Sequence, residues 1–336
     1  MLKKIHIYFT LILAFLASSD NVMGRGTWFP NNKQIHNTIW EAKLERDLLF
    51  VTDTMCTGRA TGTPGNCAAA FWLCTKFEKA GLVPLEEGYA DCFMIDSTLF
   101  GHNIMGMMPG SRKEAKDKYI IVGAHYDHIG TLNGTHYPGA DSNGTGTIAL
   151  TSIAEMFSFA KVLGRSFGHN IIFCAFDGKE RSMAGAKHLM NTIRCGELKD
   201  PITGKIITAK QISLMVNIDQ IGGSKSLTTG REDYLIMLGR NRLKEDQRDL
   251  LSLCNRTYDL NMELSYSYFG SENFTDMFYN KLSDQAPFVA QGVPSVFFTT
   301  GITMNNNKPY DTADKINLTT LKKRIILIWQ WITSVC

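Results

Sequence analysis

The chain has 336 residues, 44% of them hydrophobic and 20% charged, with 35 basic against 32 acidic side chains. That balance excludes a disordered or coiled-coil chain, and a net charge of +3 supplies no field to gather nucleic acid or an anionic membrane. Of the eight histidines none follows His188, so imidazole chemistry has to come from the earlier part of the chain.

In chain order, Lys3 and Lys4 precede a mainly apolar run over 5–17 and then small and polar residues, the arrangement of a secretory signal ending near Gly24. A run of about 13 residues is too short for a stable bilayer anchor. The reading is a signal peptide at 1–24, a product that is periplasmic or secreted without stable membrane insertion, and one domain over 25–336. Helical spacing of apolar residues predicts helices over 36–60 and 64–81, parted by the turn-rich Thr61-Gly-Thr-Pro-Gly. Strands at 103–108, 119–123, 171–176, 213–218, 234–238 and 295–299 then alternate with helices at 145–162, 183–192, 245–257 and 319–333. Runs such as 119–123 and 171–176 are apolar throughout, as central strands covered on both faces must be. The fold class is α/β, a single doubly covered sheet behind a helical N-terminal preface.

The eight cysteines contain no C-x-x-C pair, which argues against a thiolate zinc site. An oxidising compartment permits disulfides, while packing as small apolar side chains serves equally well. Five N-x-T sequons begin at Asn133, Asn143, Asn255, Asn273 and Asn317.

Ligands of such sheets bind beyond the carboxyl ends of the strands. The residues there are His125-Tyr-Asp127, Asp177-Gly-Lys179-Glu180 and Asp219, with Gly139-Ala-Asp141-Ser-Asn-Gly-Thr-Gly feeding a helix N-terminus between the first two. Carboxylates and one imidazole from four rim loops suit Zn²⁺, and two ions bridged by a carboxylate can together polarise a carbonyl and generate hydroxide. There is no H-E-x-x-H and no G-x-S-x-G, and Gly144-x-Gly146-x-x-Ala149 lacks the strand that should directly precede a dinucleotide loop.

Over residues 40–336 these motifs resemble the M28 zinc metallopeptidases, co-catalytic exopeptidases that are mostly aminopeptidases. The resemblance rests on Cys-x-Gly-Arg59-Ala-Thr-Gly-Thr, Gly-Ala-His125-Tyr-Asp127-His128, Gly-Ala-Asp141-x-Asn-Gly-x-Gly, Phe-Asp-Gly-x-Glu180, Asn217-x-Asp219, Ser283-Asp284-x-x-x-Phe288, Gly292-Val-Pro294 and Lys308-Pro-x-Asp311-Thr-x-Asp-Lys-Ile, in that order. It implies a mixed β-sheet. It also implies a zinc held by His125, Asp141 and Asp219, with Asp141 bridging and Asp127 orienting His125. Glu180 and a late histidine would hold a second zinc, and the carboxylate before Glu180 would be the general base.

Two positions depart from that pattern: the general-base position is Lys179, and the late-histidine position is Asn307. A charged ammonium has no lone pair to take a proton, and an amide oxygen is a poor zinc ligand. The expectation is one zinc at His125, Asp141 and Asp219, no second zinc, and a Lys179 ammonium that stands near the second position and neutralises Asp141 and Glu180. The functional reading is an exopeptidase homologue, catalytically impaired or inactive because of these two replacements, that binds a peptide or a protein partner in its cleft. The alternative is an active zinc aminopeptidase with a remodelled, single-metal site. Glutaminyl cyclases resemble the same fold, but their single zinc corresponds to Asp141, Glu180 and the missing histidine.

Overall fold

The computed structural model describes residues 32–336, and the expected signal peptide at 1–24 lies outside the described residues. The preface comprises α1 (Asn32–His36), α2 (Glu41–Thr52) and α3 (Pro64–Lys79). The helix expected to run to residue 60 stops at Thr52 because Asp53 is extended and its carboxylate accepts from the Met55 N–H, opening a 3₁₀ turn over Thr54–Arg59. Within that turn Gly58 has φ 71°, and a Cβ there would lie 2.5 Å from the Gly130 carbonyl oxygen and 2.6 Å from that of Tyr137. Only glycine lets the preface lie this close to the loops behind it. α3 then begins on Thr63, whose side chain accepts from the Asn66 N–H, with Pro64 in the first turn.

The strands and remaining helices follow as β1 (Val83–Pro84), β2 (Ala90–Met94), β3 (Phe100–Met108), β4 (Tyr119–His125), the hairpin β5 (Thr131–Leu132) and β6 (Thr135–His136), α4 (Thr145–Val162), β7 (Asn170–Phe176), α5 (Ala184–Cys195), β8 (Ile212–Ile218), β9 (Tyr234–Leu238), α6 (Leu250–Thr257), β10 (Glu263–Ser265), α7 (Glu272–Lys281), α8 (Ala286–Ala290), β11 (Ser295–Thr299) and α9 (Leu318–Val335). Apart from the hairpin they form one sheet in the order β1-β3-β7-β4-β8-β11-β9-β10, with β2 beside β3. β7, β4, β8 and β11 run parallel, while β3 against β7 and β9 against β11 are antiparallel, so the sheet is mixed.

Both faces are covered, as the all-apolar runs require. β4 sends Ile120, Val122 and Ala124 into the larger core and Tyr119 and Ile121 into the smaller one, and β7 divides Ile171, Phe173 and Ala175 from Ile172, Cys174 and Phe176 in the same way. α4 and α9 fill the first face, with Trp329 and Trp331 fully buried, and α5 fills the second with Leu189 and Ile193. The elements that sequence periodicity passed over are α1, β1, β2, the β5–β6 hairpin, β10, α7 and α8, which are edge strands, a hairpin of two-residue strands or short helices. α7 leaves Phe274 and Met277 exposed, so its apolar residues do not trace a core stripe. The helix expected over 245–257 is a 3₁₀ turn at Glu245–Gln247 followed by α6. Among the described residues no helix is long and apolar enough to cross a membrane.

His36 ties the preface to α9. Its Nε2 lies 2.6 Å from Gln330 Nε2 and accepts that amide's proton when the ring is neutral, and Trp329 packs edge-on against the imidazole. Burial, and then the charges of Arg165 and Lys322, lower its pKa to about 4. The folded value lies below the unfolded one, so the stabilisation is complete above about pH 6.5 and is lost as pH falls through 4. Urea midpoints measured from pH 7 to 4 should decline, and His36→Gln should make that part of the decline shallower.

Candidate metal and peptide site

Four loops converge at the carboxyl end of the parallel strands. His125 is the last residue of β4 and is fully buried. Its Nδ1 stands 3.1 Å from the Asp127 carbonyl oxygen and 3.5 Å from Asp127 Oδ1, which places the Nδ1–H toward Asp127 and turns Nε2 toward Asp219 Oδ1 at 3.2 Å. Burial, the largest influence, would lower the pKa of this ring, but the Asp219 charge together with the hydrogen bonds to Asp127 and Asp219 raises the imidazole to about 10. For Asp219, burial would raise the carboxyl, yet His125 and Lys179 hold it well below the usual range. Asp219 Oδ2 also accepts from Ser283 Oγ at 2.6 Å.

Asp127 reaches a second loop. Its two carboxylate oxygens accept from the backbone N–H groups of Lys179 and Glu180, both at 3.0 Å, so the turn after β7 is held against the same residue that faces His125 Nδ1. An amide can accept at only one of its two heads. Asp127→Asn should therefore loosen the turn and, where zinc is bound, weaken affinity about 10–100-fold, readable by competition with a chelator.

The Lys179 Nζ donates to Glu180 Oε1 at 3.0 Å. Burial opposes the charge on this ammonium, but Asp219, Glu180 and Asp284 more than offset it and hold its pKa above the usual lysine range. Its partners are thus Glu180, Asp219 and Asp284, where sequence reasoning placed Asp141 and Glu180. Asp141 has its own support: Oδ1 accepts from Gly222 N at 2.7 Å and Thr145 Oγ1 at 3.3 Å, and Asp311 accepts from its backbone N–H at 2.9 Å. Burial, then the Asp311 charge, raises it to about 7, and its Oδ2 is buried without a hydrogen-bond partner.

Asn307 is not brought to this group. It is exposed with φ 55°, while Asn306, one residue earlier, lines the cleft and accepts from Gln220 Nε2 at 2.7 Å. Two further residues carry weight that sequence reasoning did not give them. Asp284 is completely buried with neither carboxylate oxygen hydrogen-bonded, and burial raises it to about 7. Asn143 is fully buried, donates to the carbonyls of His125 and Ile218, and accepts from Gly146 and Gln220 N–H groups. It ties the ends of β4 and β8 together. The folded chain therefore cannot be glycosylated there, and Asn143, which the sequence offered as a sequon and as a motif position without a role, has a structural one.

Among the described residues no three His, Cys, Asp or Glu side chains are grouped closely enough to hold a metal ion. The donors still fit zinc at one position better than at the other. Two donors each about 2.1 Å from a tetrahedral ion stand about 3.4 Å apart, close to the separation of His125 Nε2 and Asp219 Oδ1, and Asp141 keeps a buried oxygen free. The second position does not fit, because Glu180 is paired with an ammonium and Asn307 is at the surface.

Beside these groups lies a cleft of about 190 Å³. Lys179, Asp219, Gln220 and Ser283 supply its polar end, and Tyr268, Phe278, Leu282, Phe297 and Ile302 supply apolar walls. Tyr268 and Phe278 stack with centroids 3.9 Å apart.

Residues 103–332 match the sequence model of Peptidase family M28. The chain belongs to peptidase family M28. A putative zinc metalloprotease of Saccharomyces cerevisiae, TRE2, is 29% identical over 217 residues, covering 63% of this chain and 22% of the relative. A probable zinc metalloprotease of Pyrenophora tritici-repentis is 25% identical over 207 residues, 57% of this chain and 43% of the relative. The M28 chain therefore spans less than half the length of these relatives. Among solved structures it is similar to LapB of Legionella pneumophila, with TM-score 0.68, 15% identity and coverage of 91% of this chain and 75% of that one. It is also similar to the glutaminyl cyclase of Macrostomum lignano, with TM-score 0.69, 14% identity and coverage of 93% and 94%. At these identities the likeness establishes the M28 fold.

Proposed function

We propose that this M28 chain is an exopeptidase homologue that holds a peptide, or a protein's chain end, in the cleft without hydrolysing it. The observation that carries the reading is the Lys179 ammonium, paired with Glu180 at 3.0 Å and held charged by Asp219 and Asp284. A group in that state cannot accept a proton from water. One zinc is proposed, at His125, Asp141 and Asp219; when bound it would polarise a carbonyl placed against it. Around it the chain's own residues bind and orient: the aromatic walls take an apolar side chain, Lys179 meets a carbonyl or carboxylate, and Ser283 keeps Asp219 in place. Export through residues 1–24, to the periplasm or outside the cell, belongs to the same reading.

The test pairs zinc quantification with calorimetric titration of short peptides that carry a leucine or phenylalanine side chain. One zinc per chain and saturable binding, weakened by Phe278→Ala, are expected. Two tightly held zincs per chain, or no peptide binding by the zinc-loaded protein, would overturn it.

One observation favours the active alternative. Asp284, raised to about 7 and free of hydrogen bonds, is a carboxyl able to exchange a proton near neutral pH beside His125 and Asp219. In that reading Asp284→Asn abolishes a turnover that the unaltered chain displays.

A further inference from the structure

The metal and peptide site lies at the carboxyl ends of the parallel strands, and a second, chemically different pocket lies at the opposite rim of the sheet. β9 runs antiparallel to β11, so the end of β9 lies where β11 begins, opposite the rim that carries His125 and Asp219. The backbone closes tightly there: a Cβ on Gly239 would stand 2.5 Å from the Ser295 carbonyl oxygen, and Tyr279 Oη donates to that same oxygen at 2.8 Å. The chain then turns through Arg240–Arg242, and Arg240, Arg242 and Arg248 together face a pocket of about 340 Å³.

Two of these guanidiniums are held in place by the main chain. Arg240 Nε donates to the Arg248 carbonyl oxygen at 3.0 Å, its Nη2 pairs with Asp249, and its plane lies 4.9 Å from the Tyr266 ring. Arg248 Nε donates to the Leu243 carbonyl oxygen at 3.3 Å, and the Tyr266 hydroxyl is fixed by Ser252 at 2.8 Å. Arg242 is exposed at the mouth. Against three guanidiniums the lining holds a single carboxylate, Asp276, and Asn280 adds amide donors. Guanidinium forks match oxyanions that present several oxygens. With Arg240 paired to Asp249, the charges of Arg242 and Arg248, from the turn and the loop that follows it, face only Asp276 in the lining, which leaves room for an anion to offset them. The tyrosine ring faces and side-chain amides suit a hydroxylated body of monosaccharide size, which the volume admits.

We propose that this pocket binds a sulfate or phosphate ester carried on a small polyol, independently of the peptide cleft. The test is calorimetric titration of the full chain with glucose 6-sulfate, glucose 6-phosphate, inorganic sulfate and inorganic phosphate. Saturable binding of at least one ester, tighter than its free ion, is expected, and the tighter of the two esters assigns the anion. Arg242→Gln, which alters an exposed side chain, should weaken that binding about tenfold or more, while Lys315→Gln, a charge-matched exposed change elsewhere, should leave it unchanged. Four probes without saturable binding to the folded protein, free ions binding as tightly as their esters, or equal affinity in Arg242→Gln would each overturn the proposal.

Discussion

Replacing Lys179 with methionine is expected to lower the unfolding free energy of the metal-free protein by about 2–3 kcal/mol, less than the roughly 3–5 kcal/mol of a fully buried pair because the Lys179 and Glu180 side chains keep partial contact with solvent. The ammonium is flanked by Glu180 at 3.0 Å and by the charges of Asp219 and Asp284, and methionine keeps the volume while removing the only cation named among them besides His125. Urea denaturation after exhaustive chelation measures the loss. Adding zinc should return more stability to Lys179→Met than to the unaltered chain, because the ion then supplies the missing positive charge. A variant as stable as the parent without metal would show that the ammonium does not balance these carboxylates.

The second large effect is expected at Arg59, which is completely buried and donates to the carbonyl oxygens of Tyr126, Val51, Pro138 and Gly139. Burial, against the nearby Cys56, Asp311 and Asp127 charges, lowers its pKa to about 10, so it remains a cation at neutral pH. One side chain thus joins the preface to the two loops that carry Asp127 and Asp141. Arg59→Met removes the guanidinium from four carbonyls, of which that of Gly139 keeps the Gly144 N–H, and should cost about 4 kcal/mol, while Arg59→Lys, with a single donor head, should recover only part of it. Equilibrium denaturation of both variants checks the order. If methionine were tolerated within about 1 kcal/mol, the clamp would have to lie elsewhere.

Much of the fold could be read from the sequence because its central strands are apolar without interruption. The runs at 119–123 and 171–176 admit no solvent-facing side, and the structure buries both faces of β4 and β7. What escaped was short or locally driven. The break after Thr52 is decided by the Asp53 cap and the left-handed Gly58, and β1 and β10 at the sheet's edges are two and three residues long. The rim residues His125, Asp127, Lys179, Glu180 and Asp219 announced themselves by following those runs. Their pairing did not, since which carboxylate answers the Lys179 ammonium depends on loop paths rather than on spacing. Asp284 and Asn143 stood in the motifs without a role for the same reason: each has its meaning from groups distant in sequence. The displacement of Asn307 by Asn306 turns on a single left-handed residue, which no spacing rule reports.

A permanent ammonium at Lys179, where a proton acceptor would stand in an active peptidase, has one decisive kinetic consequence. The zinc-loaded chain is incubated with a panel of aminoacyl anilides and dipeptides, beside a His125→Ala control, and released product is followed near neutral pH. No release above that control is expected for any substrate. Turnover that exceeds the control and disappears on chelation would contradict it.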